Sequence, residues 1–186
     1  MEEKKEEKKE KWLSWLALTT VILALGATLS TLKVGSFSSR SILRQTQASN
    51  QWSYYQAKSI KSYLYELQKE KLEVDLKLLG DAAPRDVLQD LRSKMEAYGK
   101  KLTTYEKEKS EIQQEARKLE DQRDEATIHS QAFGIAVILL QLSILLSSIA
   151  ALMKKPMVWV LGLVLGTAGI VAFVNGFLLF STVFLK

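Results

Sequence analysis

The side chains with chemistry to offer are few, and they fall in three places. His129 is the one imidazole of a chain that has no cysteine. A zinc-type site takes several Cys or His ligands, so no metal and no cofactor is expected. His129 stands just before an apolar run, where it reads as an interfacial polar residue with a local pH response as the sharper alternative. Gln141 and Asn175 are the most polar side chains inside the apolar runs. Each can hydrogen-bond across helices, worth about 0.6 to 2 kcal/mol, or line a passive pore in an oligomer. Gln51, Trp52, Tyr54 and Tyr55 form a polar aromatic cluster, read either as packing against a returning helix or as an interaction surface for a protein partner or ligand. The phosphate and dinucleotide fingerprints GxxxxGK[ST] and GxGxxG do not occur, and no catalytic residue is assigned. The chain is therefore not read as an enzyme.

The elements that carry these residues are set by where charge is missing. The 186 residues hold 26 Lys and Arg against 21 Asp and Glu, 47% of the chain is hydrophobic, and mean hydropathy is −0.04. That average conceals three runs, 12–32, 132–153 and 156–185, without an acidic or basic residue. A hydrocarbon core of about 30 Å needs roughly 20 apolar residues at 1.5 Å each, so each run is long enough to span. The first is too long, and its leading tail too acidic, for a cleaved signal peptide. Trp12, Trp15 and Trp159 lie near span ends, at headgroup level. No Asp, Glu, Lys or Arg lies within a span, which disfavours an active transporter. Acids interleave with the bases, so the net charge of +5 gives no basic patch for nucleic acid.

The expected fold is an all-α membrane protein. Its parts are a charged tail (1–11), a first span (12–32), a long antiparallel, coiled-coil-like helical hairpin outside the bilayer (33–131, turn at 80–84), a second span (132–153), a short loop (154–157) and a third span (158–185). The tail repeats E-E-K-K, with like charges at i,i+4, and is read as solvated and fraying. Five tail lysines plus Lys154 and Lys155 favour a cytoplasmic N-terminus in the inner membrane, with the hairpin extracytoplasmic.

The hairpin reading rests on spacing. Leu88, Leu91, Met95, Tyr98, Leu102, Tyr105, Lys109, Ile112, Ala116, Leu119, Arg123 and Ala126 follow one another alternately three and four apart. That is a heptad seam, and its register continues through Ser130 to Phe133, Val137 and Leu140. Ile60, Leu64, Leu67, Lys71, Val74 and Leu78 form a shorter seam, expected to face the first. Gly80-Asp81-Ala82-Ala83-Pro84 supplies the turn, leaving arms of 47 and 48 residues, each about 70 Å if straight. Beyond burying its own arms, so thin a hairpin could pack against copies of itself. Gly35 to Ser39 is expected to break or loosen the chain after the first span. Gly162 and Gly166 allow close helix approach.

The run Gln47-Ala48-Ser49-Asn50-Gln51-Trp52-Ser53-Tyr54-Tyr55-Gln56-Ala57-Lys58-Ser59-Ile60-Lys61 resembles a family of small prokaryotic membrane proteins known only as a domain of unknown function. The family's pattern is approximately Q-A-S-[DN]-Q-W-x-Y-Y-Q-A-K-S-I-K. The resemblance implies the same layout of one span, a helical insert and a closing pair of spans, and brings no reaction, ligand or catalytic residue with it. The functional expectation is a homo-oligomeric structural, tethering or scaffold protein in contact with membrane lipids. A passive oligomeric channel with a hairpin vestibule is the alternative. Gly162, Gly166, Gln141 and Asn175, with the seam residues Leu91, Tyr98, Leu102, Tyr105 and Ile112, are the candidate packing and oligomer contacts.

Overall fold

A computed structural model describes residues 2–80 and 83–179, with side chains from residue 11 onward. Among the described residues there are three helices and no strand: α1 (Glu2–Leu79), α2 (Arg85–Met153) and α3 (Pro156–Leu178). Each contains a stretch long and apolar enough to cross a membrane. The end of the expected third span, from residue 180, lies outside the described residues, as do Asp81 and Ala82 of the turn. The chain divides into two units, Met1–Ile42 with Arg123–Lys186, and Leu43–Gln122.

α1 starts at Glu2, so the charged tail is part of this helix. Once a helix is nucleated in the apolar run, each further residue adds a bond without a new nucleation cost. One expectation about a helix break is corrected: α1 continues through Gly35 to Ser39. There the serines tie the helix to α2: Ser38 Oγ meets Ser130 Oγ at 2.8 Å, and Ser41 Oγ meets Thr127 Oγ1 at 2.9 Å.

The turns are made as the residues dictate. Gly80 takes φ +57 at the end of α1, the left-handed conformation that glycine adopts without a Cβ penalty. Pro84, just ahead of α2, accepts the first helical bond from the Leu88 amide at 3.2 Å. Between α2 and α3 the Lys155 amide bonds Ala150 O at 3.2 Å and the Lys154 amide bonds Ala151 O at 3.3 Å. This is the paired 6→1 and 5→2 closure of a Schellman motif. Lys154 adopts φ 54 to make it, a conformation that costs a residue with a Cβ about 1 to 2 kcal/mol. Pro156 then starts α3, where a missing amide proton is no loss. Lys154→Gly should therefore stabilise the protein by about 1 kcal/mol, read as a higher midpoint of thermal unfolding in detergent.

In the unit Leu43–Gln122, the seam foreseen on α2 faces α1. Leu91, Met95, Tyr98, Leu102, Tyr105 and Lys109 are half-buried, and Ile112, Ala116 and Leu119 are buried. The facing seam on α1 is a different one from that expected. Ala48 and Ser62 are buried, while Gln51, Tyr55, Lys58, Tyr65, Lys69, Leu72 and Leu76 are half-buried. Ile60, Leu64, Leu67, Lys71, Val74 and Leu78, expected to face α2, are all exposed.

Candidate functional site

The polar aromatic cluster lies within the hairpin unit, and its side chains close the space between the arms. Trp52 Nε1 donates to Glu120 Oε1 at 2.9 Å and its ring meets Tyr55 edge-on at 5.7 Å. The indole reaches Glu120 on the returning arm because its N–H needs an acceptor and the carboxylate supplies one. Lys58 bonds Glu108 and lies 5.2 Å from the centre of the Tyr105 ring and 5.5 Å from that of Tyr54. Ser62 Oγ faces Glu106 at 3.4 Å. Tyr65 packs between Tyr98 and Tyr105, at 5.4 and 5.7 Å, and its hydroxyl accepts a bond from Lys101 Nζ at 2.9 Å. Lys109 bonds Glu106 and stands 6.0 Å from the Tyr55 ring. Of the four residues singled out as an interaction surface, Tyr54 alone is exposed; Gln51, Trp52 and Tyr55 are half-buried against the other arm.

Polar pairs thus do inside this hairpin what leucines do in most coiled coils. Lysine stems cover tyrosine faces while the ammonium groups find carboxylates or a phenol. The hydrogen bond to Glu108 holds the Lys58 ammonium above its ordinary pKa. Glu106 does the same for Lys109, and the Tyr65 hydroxyl for Lys101. A pKa raised on folding gives stability that is complete below the unfolded value and is lost as pH climbs through the folded one. The melting temperature should therefore hold through neutral pH and fall above the ordinary lysine value of 10.5. Lys58→Met, which removes one of these cations, should shrink the fall in a thermal titration.

In the other unit, the glycines of α3 form one face. A Cβ on Gly162 would stand 3.2 Å from the Ser143 carbonyl oxygen; on Gly166, 2.8 Å from Leu23 Cδ2 and Ser143 Oγ; on Gly169, 2.9 Å from the Leu140 side chain; on Gly176, 2.7 Å from the Phe133 ring. Ser143 and Ser147 are fully buried opposite this face, with Ser143 donating to Gly162 O and Ser147 to Ser143 O. Gly162 and Gly166 therefore serve packing within one chain, α3 against α2 and α1. Close backbone approach lets van der Waals contact and the serine bonds hold the helices together. Asn175 is also buried in this unit. Gln141 is exposed, on the outer side of α2.

Sequence reasoning passed over the cluster around Phe133. This ring has no exposure and meets Phe37 at 5.9 Å, Phe173 at 5.7 Å and Phe177 at 4.9 Å. His129, stacked on Phe37 at 4.7 Å, bonds Gly176 O through Nδ1 at 2.7 Å. A carbonyl only accepts, so Nδ1 carries the proton. The bond satisfies one of the carbonyls left open in the last turn of α3, so His129 fastens the end of that helix. The signal available was Phe37, Phe133, Phe173 and Phe177 on three apolar segments, with nothing to show that they converge. At the opposite end of the apolar segments Trp12 and Trp159 meet at 6.3 Å, and Trp159 Nε1 donates to Thr19 Oγ1 at 3.2 Å. The apolar run of α1 and the start of α3 thus lie at the same level, and the two helices run the same way. Among the described residues no group of three or more Asp, Glu, His or Cys comes together in a way that could hold a metal ion.

No curated protein and no solved structure matches the chain. A family profile does, over residues 12–179, which takes in the first two apolar runs, most of the third and both arms of the hairpin. The chain belongs to the family described as domain of unknown function DUF4337.

Proposed function

We propose that this chain is a multi-pass membrane protein with a structural role: a homo-oligomer that holds a stiff helical hairpin outside the bilayer as a spacer, tether or docking arm. The observation that carries the reading is the cross-tying of the arms. Trp52 to Glu120, Lys58 to Glu108, Ser62 to Glu106 and Tyr65 to Lys101 link α1 and α2 at successive levels. Ties of this kind, reinforced by aromatic stacking, make two thin helices act as one rod rather than as two independent arms. The reading gives the chain no catalytic role, no cofactor and no nucleic-acid partner; lipids and other copies are its contacts, with a further protein partner taken by the hairpin. The N-terminus is assigned to the cytoplasmic side of the inner membrane and the hairpin to the other side, on the lysine counts of the tail and of the loop at Lys154 and Lys155.

A second reading, an oligomeric passive channel, is favoured by one observation. Gln141, near the middle of the second apolar run, is exposed in the single chain. An amide at that depth gains from a partner or from water, and copies gathered around it would supply either. Particle mass and symmetry after gentle extraction test both readings. A closed ring supports an oligomer with an axis to examine, and solute flux in proteoliposomes that Gln141→Leu abolishes would establish the channel. A dimer supports the structural reading alone. A monomer in mild detergent and in native lipid, with nothing captured by crosslinking, would overturn both.

A further inference from the structure

The hairpin leaves one apolar stripe uncovered, and its composition and position identify what covers it. Ile60, Leu64, Leu67, Val74 and Leu78 are 63%, 54%, 58%, 52% and 79% exposed. With Lys71 they keep the alternating three and four spacing of a heptad, with Leu64, Lys71 and Leu78 at a positions and Ile60, Leu67 and Val74 at d positions. The residues of α1 that meet α2, among them Ser62, Tyr65, Lys69, Leu72 and Leu76, fall at b and f on the far side of the same helix. α1 therefore has two faces of heptad period, and only the polar one is used within the chain. A stripe of large aliphatic side chains in water marks an interaction site.

We infer that the stripe Ile60–Leu78 is a parallel coiled-coil face that takes the same stripe of a second copy of this chain. This deepens, and rests on, the proposed homo-oligomer. Three observations choose the occupant. First, the α2 arm of the hairpin exposes Val87 and no other large hydrophobic residue among those described. On the α1 arm the exposed Ile42, Tyr54, Tyr63 and Leu79 lie outside the a and d positions, and Leu43 lies several turns before the stripe begins. The continuous aliphatic surface that one hairpin can offer another is therefore this stripe itself, an isologous match. Second, α1 is a single helix from Glu2 through the first apolar run to Leu79. Copies inserted the same way in one membrane carry it in the same direction, which brings like residues to like heights and makes the pairing parallel and in register. Third, among the described residues Lys71 and its neighbour Glu70 have no ion-pair partner. In a parallel pair Glu70 falls at g beside the a position, where it can meet Lys71 of the other copy. A lone lysine at a weakens such an interface and fixes its register, which is what a stripe of otherwise interchangeable aliphatic residues lacks.

The absence of native cysteine makes the test direct. Single cysteines are placed in the full-length protein at Ile60, Leu64, Leu67 and Val74 on the stripe, and at the exposed positions Ser93 and Thr103 on α2. They are oxidised in membranes, and disulfide-linked dimers are quantified. The expected result is several-fold more dimer at the stripe positions than at Ser93→Cys or Thr103→Cys, together with a higher yield at Leu67→Cys when Lys71→Leu is added. These side chains point away from α2, so the variants should fold; an unchanged melting temperature confirms it. Equal yields at every position indicate random collision and overturn the inference. A conjugate of Leu67→Cys with a different protein, in place of the dimer, also overturns it. If the particle is an oligomer by mass but the stripe does not crosslink, the inference falls and the homo-oligomer stands. A monomer by both measures removes both.

Discussion

Gly169→Leu should unfold or loosen the three-helix unit, while Gly134→Ala should leave it as stable as before or slightly more so. The two glycines differ in what a side chain would meet. At Gly169 a Cβ would lie 2.9 Å from Leu140 Cγ and Cδ2 and 3.1 Å from the Leu140 backbone nitrogen; at Gly134 nothing lies within 4 Å. A leucine rotamer could move, but a backbone nitrogen moves only if α2 moves. Because Leu140 also packs on Leu23 and Ala27 of α1, the displacement is passed to the third helix. Overpacking costs roughly 1 to 3 kcal/mol for added methylenes in a well-packed site, and leucine at a backbone contact belongs at the upper end. For a chain of this size that corresponds to a fall of about 2 to 4 °C in melting temperature per kcal/mol. Gly134→Ala adds helix propensity worth about 1 kcal/mol and meets no atom. Thermal unfolding of both variants in one detergent checks the pair: a Gly169→Leu protein as stable as the parent would mean that α3 is not held at this distance from α2.

What the sequence disclosed, and what it hid, follows from how much each signal depended on a partner. The turn at Gly80 and Pro84 was legible because a positive φ and a missing amide proton are local requirements. The α2 seam was legible because eleven successive steps of three and four are hard to produce by chance. The α1 face was not. Apolarity alone favours Ile60, Leu64 and Leu67, and the arms in fact meet through Ala48, Lys58, Ser62 and Tyr65. The reason lies on the other arm, where Tyr98, Tyr105, Glu106, Glu108 and Glu120 offer ring faces and carboxylates to lysine, serine and indole. Choosing between two faces of one helix required knowing which face its partner could satisfy. Ser36 to Ser39 misled for a related reason: serine near a glycine favours a turn when its hydroxyl is free to bond locally, but here Ser38 and Ser41 spend theirs on α2. Gly162-x-x-x-Gly166 signalled close approach correctly, and whether the approaching helix belonged to the same chain or another was not in the spacing.

Phe133→Ala should be the most damaging single truncation in the chain, and Gly176→Ala should show why. Phe133 is fully buried at the centre of Phe37, Phe173 and Phe177, and truncation of such a ring in a water-soluble core costs about 3 to 5 kcal/mol. Under the membrane reading proposed above, the unfolded helices are also solvated by hydrocarbon, so the loss is limited to contacts and cavity and falls to roughly 2 to 3 kcal/mol. Gly176→Ala in the parent puts a Cβ 2.7 Å from two carbons of the same ring and presses on the turn that His129 fastens through Gly176 O. It should destabilise by about 1 to 2 kcal/mol. In the Phe133→Ala background the obstructing ring is gone, so the same alanine should be neutral or stabilising through its helix propensity, about 1 kcal/mol better than glycine. The coupling energy across this double-mutant cycle should reach about 1 to 3 kcal/mol, measured by thermal or denaturant unfolding of the four proteins. Additive effects would show that the ring does not stand over Gly176.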